Sequence, residues 1–247
     1  MTLSSPDVSE TVKEFFERSD LYLTGNLNIQ LRAEIVSQFL QNRDFKNVLD
    51  IACGSAEISI PYVNENNRLT LIDIAENMLD VAAKNVPETL TDRVEYRCGD
   101  FRKLDFGDQQ FDLIISTGLL AHIPDPFEAL VRMAELLSPG GVLVLQNLNS
   151  SHPYSQFIHF YRYLGTLVSS DKYMYNRVPE KRLIDTLKTE GLSLQRRVCY
   201  IQTLLLLERL ISPKFKHAWT KRLFSLPEGN KRAWVGNDCL YLFQKQA

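Results

Sequence analysis

Between residues 47 and 147, short apolar runs alternate with helical patterns, and that alternation leaves few folds open to the chain. The runs are NVLDIA (47–52), RLTLIDI (68–74), VEYRCGD (94–100), FDLIIST (111–117) and GVLVLQN (141–147), all rich in β-branched or aromatic residues. AENMLDVAAKN and FEALVRMAELL lie between them, with apolar residues at helical spacing. Strands joined through helices pair in parallel, because only a crossover connection brings the chain back to start a parallel neighbour. The expected fold is therefore α/β, a Rossmann-like doubly wound and mostly parallel sheet with helices on both faces.

Local signals frame the pieces. Asp125, Pro126 and Glu128 read as an N-cap, a first-turn proline and a capping-box acid, and SPGG (138–141) as the stop, so a helix is expected over about 126–137. VSETVKEFFERSDLYL and NIQLRAEIVSQFL read as two helices within an N-terminal unit, 1–46, ahead of a core at 47–149. Past Asn149 the texture changes to an aromatic-rich stretch, 150–178, read as a cap insertion. The remainder, 179–247, reads as the end of the core: helix PEKRLIDTLKTEGL, strand SLQRRVCYIQ, a second insertion over about 203–234, and terminal strand NDCLYLFQKQ.

The first strand ends on an acid, Asp50, and breaks into a turn of small residues, Ala52, Gly54, Ser55 and Ala56. At the carboxyl edge of an α/β sheet such a turn is expected to open onto a helix N-terminus, whose free N–H groups and partial positive charge favour a bound cofactor. Gly54 is the expected position of positive φ. Asp73 closes the second strand about twenty residues past Gly54, where an acid can bond a ribose diol. Asp100 closes the third and is placed to accept from an adenine amino group.

Taken in order, VLDIACGSAE, LTLIDIAENMLDVAAK, VEYRCGDF, FDLIISTGLLAHIPD and LLSPGGVLVL resemble the successive motifs of class I S-adenosylmethionine-dependent methyltransferases of the small-molecule type. The resemblance spans about 48–147 and departs in the first motif, where Ala52 and Ala56 hold places commonly held by glycine. It implies seven strands, the last antiparallel, and S-adenosyl-L-methionine as cofactor. It also implies roles: Asp73 on the ribose, Asp100 on the adenine amino group, Ile74 and Phe101 beside the ring, and Met78 in the same closely matching segment. Asp50, Ala52 and Gly54 fall near the methionine end, the main chain at Ser116 and Thr117 takes the amino group, and Tyr22 and Arg32 bind the carboxylate.

The implied reaction is methyl transfer to an oxygen or nitrogen of a small, aromatic or apolar metabolite. In-line alignment supplies much of the acceleration, and a neutral acceptor also has a proton to lose. His122, in the loop after the fourth strand, is the expected base, or else a structural histidine. His152, Tyr154, His159 and Tyr163, in the aromatic-rich stretch, are the expected substrate contacts. No metal is expected, since STG and QNLN at the ends of the fourth and fifth strands offer no carboxylate cluster.

Other classes fit less well. A dinucleotide-binding oxidoreductase would need glycines at 52, 54 and 57, where the chain has Ala52, Gly54 and Glu57. A non-catalytic cofactor-binding scaffold remains open on fold alone. With Lys+Arg 28 against Asp+Glu 30, there is no basic field to attract nucleic acid, and no apolar run reaches the roughly 20 residues that span a bilayer. Neither partner is expected; a cytoplasmic monomer or homodimer is. Cys53, Cys98, Cys199 and Cys239 form no CxxC pair and are expected as separate reduced thiols.

Overall fold

The computed structural model describes residues 27–149, 178–200 and 238–247, together with positions 152, 153, 155–157, 176, 215 and 236. One seven-stranded sheet organises them: β1 (Asn47–Ile51), β2 (Arg68–Asp73), β3 (Val94–Cys98), β4 (Phe111–Ser116), β5 (Leu137–Leu148), β6 (Leu192–Tyr200) and β7 (Asp238–Lys245). Across the sheet the order is β3-β2-β1-β4-β5-β7-β6. Pairs from β3 to β5 are parallel, and β7 runs antiparallel to both its neighbours. The expected fold class is the one observed.

Alternation along the strands sends side chains to two cores. On one face Val48, Leu69, Leu71, Leu113, Ile115 and Val144 pack against α1 (Leu27–Leu40), through Ile35, Val36 and Phe39, and against α2 (Glu76–Asn85), through Leu79 and Ala82. On the other face Leu49, Ile51, Ile114, Leu143 and Leu145 meet α3 (Pro126–Leu136) and α4 (Glu180–Thr189). From β1 the sheet grows one way through β2 and β3 and the other way through β4 and β5. The reversal between β1 and β4 opens a crevice at the carboxyl ends of the strands.

Three expectations are corrected. The turn after β1 does not open onto an α-helix: it continues through further turns into a three-residue 3-10 helix, Ile60–Tyr62. Pro61 is tolerated only in the first turn of a helix, and the Asn- and Glu-rich turn that follows stops the chain before a second turn forms. The SPGG segment lies inside β5 instead of before it. Pairing slips between Phe111↔Leu137 and Leu113↔Val142, and the extra residues form a bulge in which Gly140 takes φ 76° and Ser138 Oγ donates to the Phe111 carbonyl at 3.1 Å. Finally, Cys199 and Cys239 are not separate thiols. They are directly opposed on β6 and β7 and form a disulfide, in which Cys53 and Cys98 take no part.

The first of the two expected leading helices and most of both cap insertions lie outside the described residues, whereas the second forms as α1. Among the described residues no helix is long and apolar enough to cross a membrane.

The N-terminus of α3 forms as the sequence signals. Asp125 Oδ1 accepts from Phe127 N–H at 3.2 Å and Glu128 N–H at 3.1 Å, and Pro126 opens the helix. Glu128 turns outward to Arg102 at 3.4 Å. At the other end Lys245 Nζ donates to the carbonyls of Ala134 and Leu137, both at 2.7 Å. Asp125→Ala should lower stability by about 1 kcal/mol, the usual loss for an N-cap. Urea unfolding checks this: the midpoint drops while the slope is unchanged.

Candidate functional site

The turn after β1 holds three left-handed positions at alternate residues, Ala52 (φ 59°), Gly54 (φ 53°) and Ala56 (φ 55°). Positive φ is therefore not confined to Gly54. The two alanines adopt the conformation that glycine takes freely, and Asp73 helps hold it. One carboxylate oxygen accepts from Gly54 N–H at 2.9 Å and the other from Ala75 N–H at 3.0 Å. Cys53 N–H donates to the Ile72 carbonyl at 3.0 Å, and Asn85 Nδ2 to the Ser55 carbonyl at 3.0 Å. Asp73 thus joins the turn to the end of β2 and the start of α2.

Behind the turn lies Asp50, fully buried, with a hydrogen bond from Ser59 and the charge of Asp73 nearby. Burial, and then the neighbouring acid, push its pKa up to about 7 against the lowering effect of Ser59. Burial also raises Asp73, opposed by the N–H groups of Ala75, Gly54 and Ile74. Asp100 behaves differently. Burial alone would raise it, but Arg102 grips it with Nε on Oδ1 at 3.0 Å and Nη2 on Oδ2 at 2.6 Å, and its pKa is lowered. Ile74 is half-buried beside these acids in sequence, whereas Met78 and Phe101 are buried, Phe101 within the α3 and α4 core.

Past the switch point the site is built from different chemistry. Arg32 of α1 is buried, with Nε donating to Tyr200 Oη at 2.9 Å and Nη2 paired with Asp238 at 3.3 Å. Tyr200 Oη donates to Asp238 Oδ2 at 2.8 Å, and Gln146 Nε2 to Oδ1 at 2.5 Å. Arg32 therefore sits in a buried network, where a carboxylate ligand was its expected partner. Ser116 is buried and Thr117 half-buried at the end of β4. Gly118 follows with φ 94°, and a Cβ built there would lie 4.0 Å from Arg32 Nη1.

His122 N–H donates to the Leu119 carbonyl at 2.8 Å in the loop after β4. Burial, then the positive charge of Arg32, push its imidazole down to about 4. Asn176 ties this loop to the later chain, donating from N–H to the Ala121 carbonyl at 2.9 Å and from Nδ2 to the Ile123 carbonyl. His152 is half-buried at the start of a helical turn, its N–H donating to the Asn149 carbonyl at 3.1 Å. Tyr22, Tyr154, His159 and Tyr163 lie outside the described residues.

Arg102, Gln146, Tyr200 and Asp238 belong to the site without standing out in the sequence. For Gln146 and Asp238 one signal existed, a polar residue breaking an otherwise apolar strand at its end.

Residues 49–145 match the profile of the methyltransferase domain family. Over 135 residues the chain is 33% identical to a ubiquinone biosynthesis O-methyltransferase of Coxiella burnetii, covering 55% of this chain and 53% of that protein. Over 149 residues it is 30% identical to a demethylmenaquinone methyltransferase of Listeria welshimeri, covering 59% and 62%. The chain thus matches little more than half the length of these curated relatives. Among solved structures, the magnesium protoporphyrin IX methyltransferase of Synechocystis with bound SAH superposes with a TM-score of 0.66 at 16% identity, over 97% of this chain and 100% of that one.

The buried acid has a consequence for stability. Asp50 holds its proton more tightly folded than unfolded, where its value is near 3.8, so its stabilising contribution is complete below that pH and is lost as pH rises through about 7. Stability of the ligand-free protein should decline across that window, by at most about 1.4 kcal/mol per pH unit from this group. Asp50→Asn should flatten the decline. Denaturant midpoints of both proteins at several pH values test it, and parallel curves would clear Asp50 of the effect.

Proposed function

We propose that this chain, whose residues 49–145 belong to the methyltransferase domain family, moves a methyl group from S-adenosyl-L-methionine to an oxygen or nitrogen of a small organic molecule. The observation that carries this reading is the pair of buried acids, Asp50 and Asp73, behind a turn of left-handed small residues. A cation is what stabilises the ionised form of acids so placed. Bound S-adenosylmethionine would bring a sulfonium and an ammonium, the sulfonium making its methyl group electrophilic.

The residues divide the work. Asp73 takes the ribose hydroxyls with the lone pairs left after its bonds to Gly54 and Ala75. Asp100, oriented by Arg102, takes the adenine amino group, with Ile74 on the ring and Met78 and Phe101 supporting from the core. Asp50, Ala52, Gly54 and the main chain at Ser116 and Thr117 receive the methionine end, whose carboxylate falls to Tyr22 and to Arg32 acting from within its pair with Asp238. His152, Tyr154, His159 and Tyr163 are the residues proposed to recognise the acceptor. The names of the two curated relatives make a quinone-type aromatic the first acceptor to try.

A cytoplasmic location belongs to the same proposal. The Cys199–Cys239 bond is the feature that stands against it, because disulfides are uncommon in a reducing compartment.

His122 is assigned as the proton acceptor. Lowered to about 4, it is neutral at ordinary pH, but the positive charge of Arg32 also limits its affinity for a proton. Its contribution therefore belongs at the weak end of general-base catalysis, with alignment doing most of the work.

Two measurements test the assignment. Asp73→Ala should weaken binding of S-adenosylhomocysteine by about 1.5–3 kcal/mol in calorimetric titration, the scale of a lost charge-assisted hydrogen bond. Unchanged affinity in a folded variant removes Asp73 from the cofactor site. With an acceptor in hand, His122→Ala should lower turnover about 10²-fold at unchanged cofactor affinity, and wild-type turnover should show no histidine ionisation between about pH 6 and 8. Full turnover in the variant excludes the base role.

A further inference from the structure

We propose that the amide oxygen of Gln146 is the recognition point for a hydrogen-bond donor, a hydroxyl or an N–H, carried by the methyl acceptor. The inference rests on the methyltransferase reading above and deepens it.

Gln146 lies near the carboxyl end of β5 and is 5% exposed. Its Nε2 donates to Asp238, while Oε1 is buried and has no hydrogen-bond partner among the described residues. Folded proteins keep few buried acceptors unmet, and one near the carboxyl edge of the sheet, where α/β folds take their ligands, is a candidate for contact with a ligand. Turning the amide over does not satisfy it, because Oε1 would then face the Asp238 carboxylate, acceptor against acceptor. Asp238 itself is held in place by Tyr200 Oη and Arg32 Nη2, and Arg32 Nε in turn fixes Tyr200. The network therefore determines which end of the amide points away from it.

Oε1 points toward Gly118. A Cβ built on that glycine would lie 3.8 Å from Oε1, so an atom of methyl size at that place would touch the amide oxygen without clashing with it. Position separates the atom from the nucleoside. Asp73 ends β2, on one side of the switch point, whereas Gln146 lies three strands away on β5, a lateral separation of roughly 14 Å at normal strand spacing. His122 follows Gly118 in the same loop. An amide oxygen takes donors only, so this arrangement selects a hydroxylated or amino-bearing molecule over one that presents carbonyl or ether oxygen at the same place.

The test uses protein saturated with S-adenosylhomocysteine and four probes of similar shape: 2-naphthol, 2-naphthylamine, 2-fluoronaphthalene and 2-methoxynaphthalene. Ligand-observed NMR titration should give the two donor-bearing probes an affinity about tenfold or more above the other two. Gln146→Met should shrink that preference to under about threefold while S-adenosylhomocysteine affinity stays within about twofold, and Asp238→Asn, which frees the amide to turn, should weaken it in the same direction. Gln146→Leu replaces the Met variant if circular dichroism shows that one misfolded. A wild type that binds all four probes alike or none of them, or a folded Gln146 variant that keeps the preference, overturns the inference. Absence of S-adenosylhomocysteine binding to the wild type instead overturns the reading on which it rests.

Discussion

The carboxylate of Asp73 holds the site together. Its two oxygens reach the turn after β1 and Ala75, the residue that caps α2, so one side chain ties two parallel strands together at their carboxyl edge. No helix backs the turn, because the chain after Ala56 forms only turns and a single 3-10 helix. In the absence of a helix dipole, the N–H groups of the turn are organised by an acid, and the local field is negative where a nucleotide-phosphate site would be positive. That polarity suits a ligand without phosphates and with positive charge of its own.

Across the switch point the physics changes from isolated acids to a neutralised network. Arg32, Tyr200, Asp238 and Gln146 come from α1, β6, β7 and β5, and together they bury an ion pair whose remaining bonds are supplied by neutral groups. A buried pair of this kind contributes little net stability, but losing one partner strands the other, which makes it an effective device for fixing geometry. The positive charge of Arg32 is also felt by His122, so this network and the acid–base properties of the loop after β4 are coupled.

Much of this was legible in the sequence because it is local. Strands buried on both faces appear as apolar runs, the acids appear at their ends, and Asp125 with Pro126 marks a helix start. The features that escaped depend on distant partners. Nothing near Cys199 reveals that its register on β6 places it opposite Cys239, and Arg32 meets Asp238 only after the whole sheet has formed. SPGG has the composition of a turn, and only its pairing with Phe111 shows it to be an irregular strand. The small residues of the turn after β1 suggest a helix start, but Pro61 and the polar stretch beyond it allow only a 3-10 turn.

The alanines at 52 and 56 give the turn a further property. Left-handed backbone is strained for any residue with a Cβ, by about 1–2 kcal/mol each, and the well they occupy is narrow. Glycines at those places would wander among many shapes; methyl-bearing residues, once clamped, have few to choose from. The turn therefore behaves as a cocked spring with a preset form. An arriving ligand meets a surface already in shape and surrenders mainly its own freedom, and any loosening of the Asp73 clamp would let the backbone recoil.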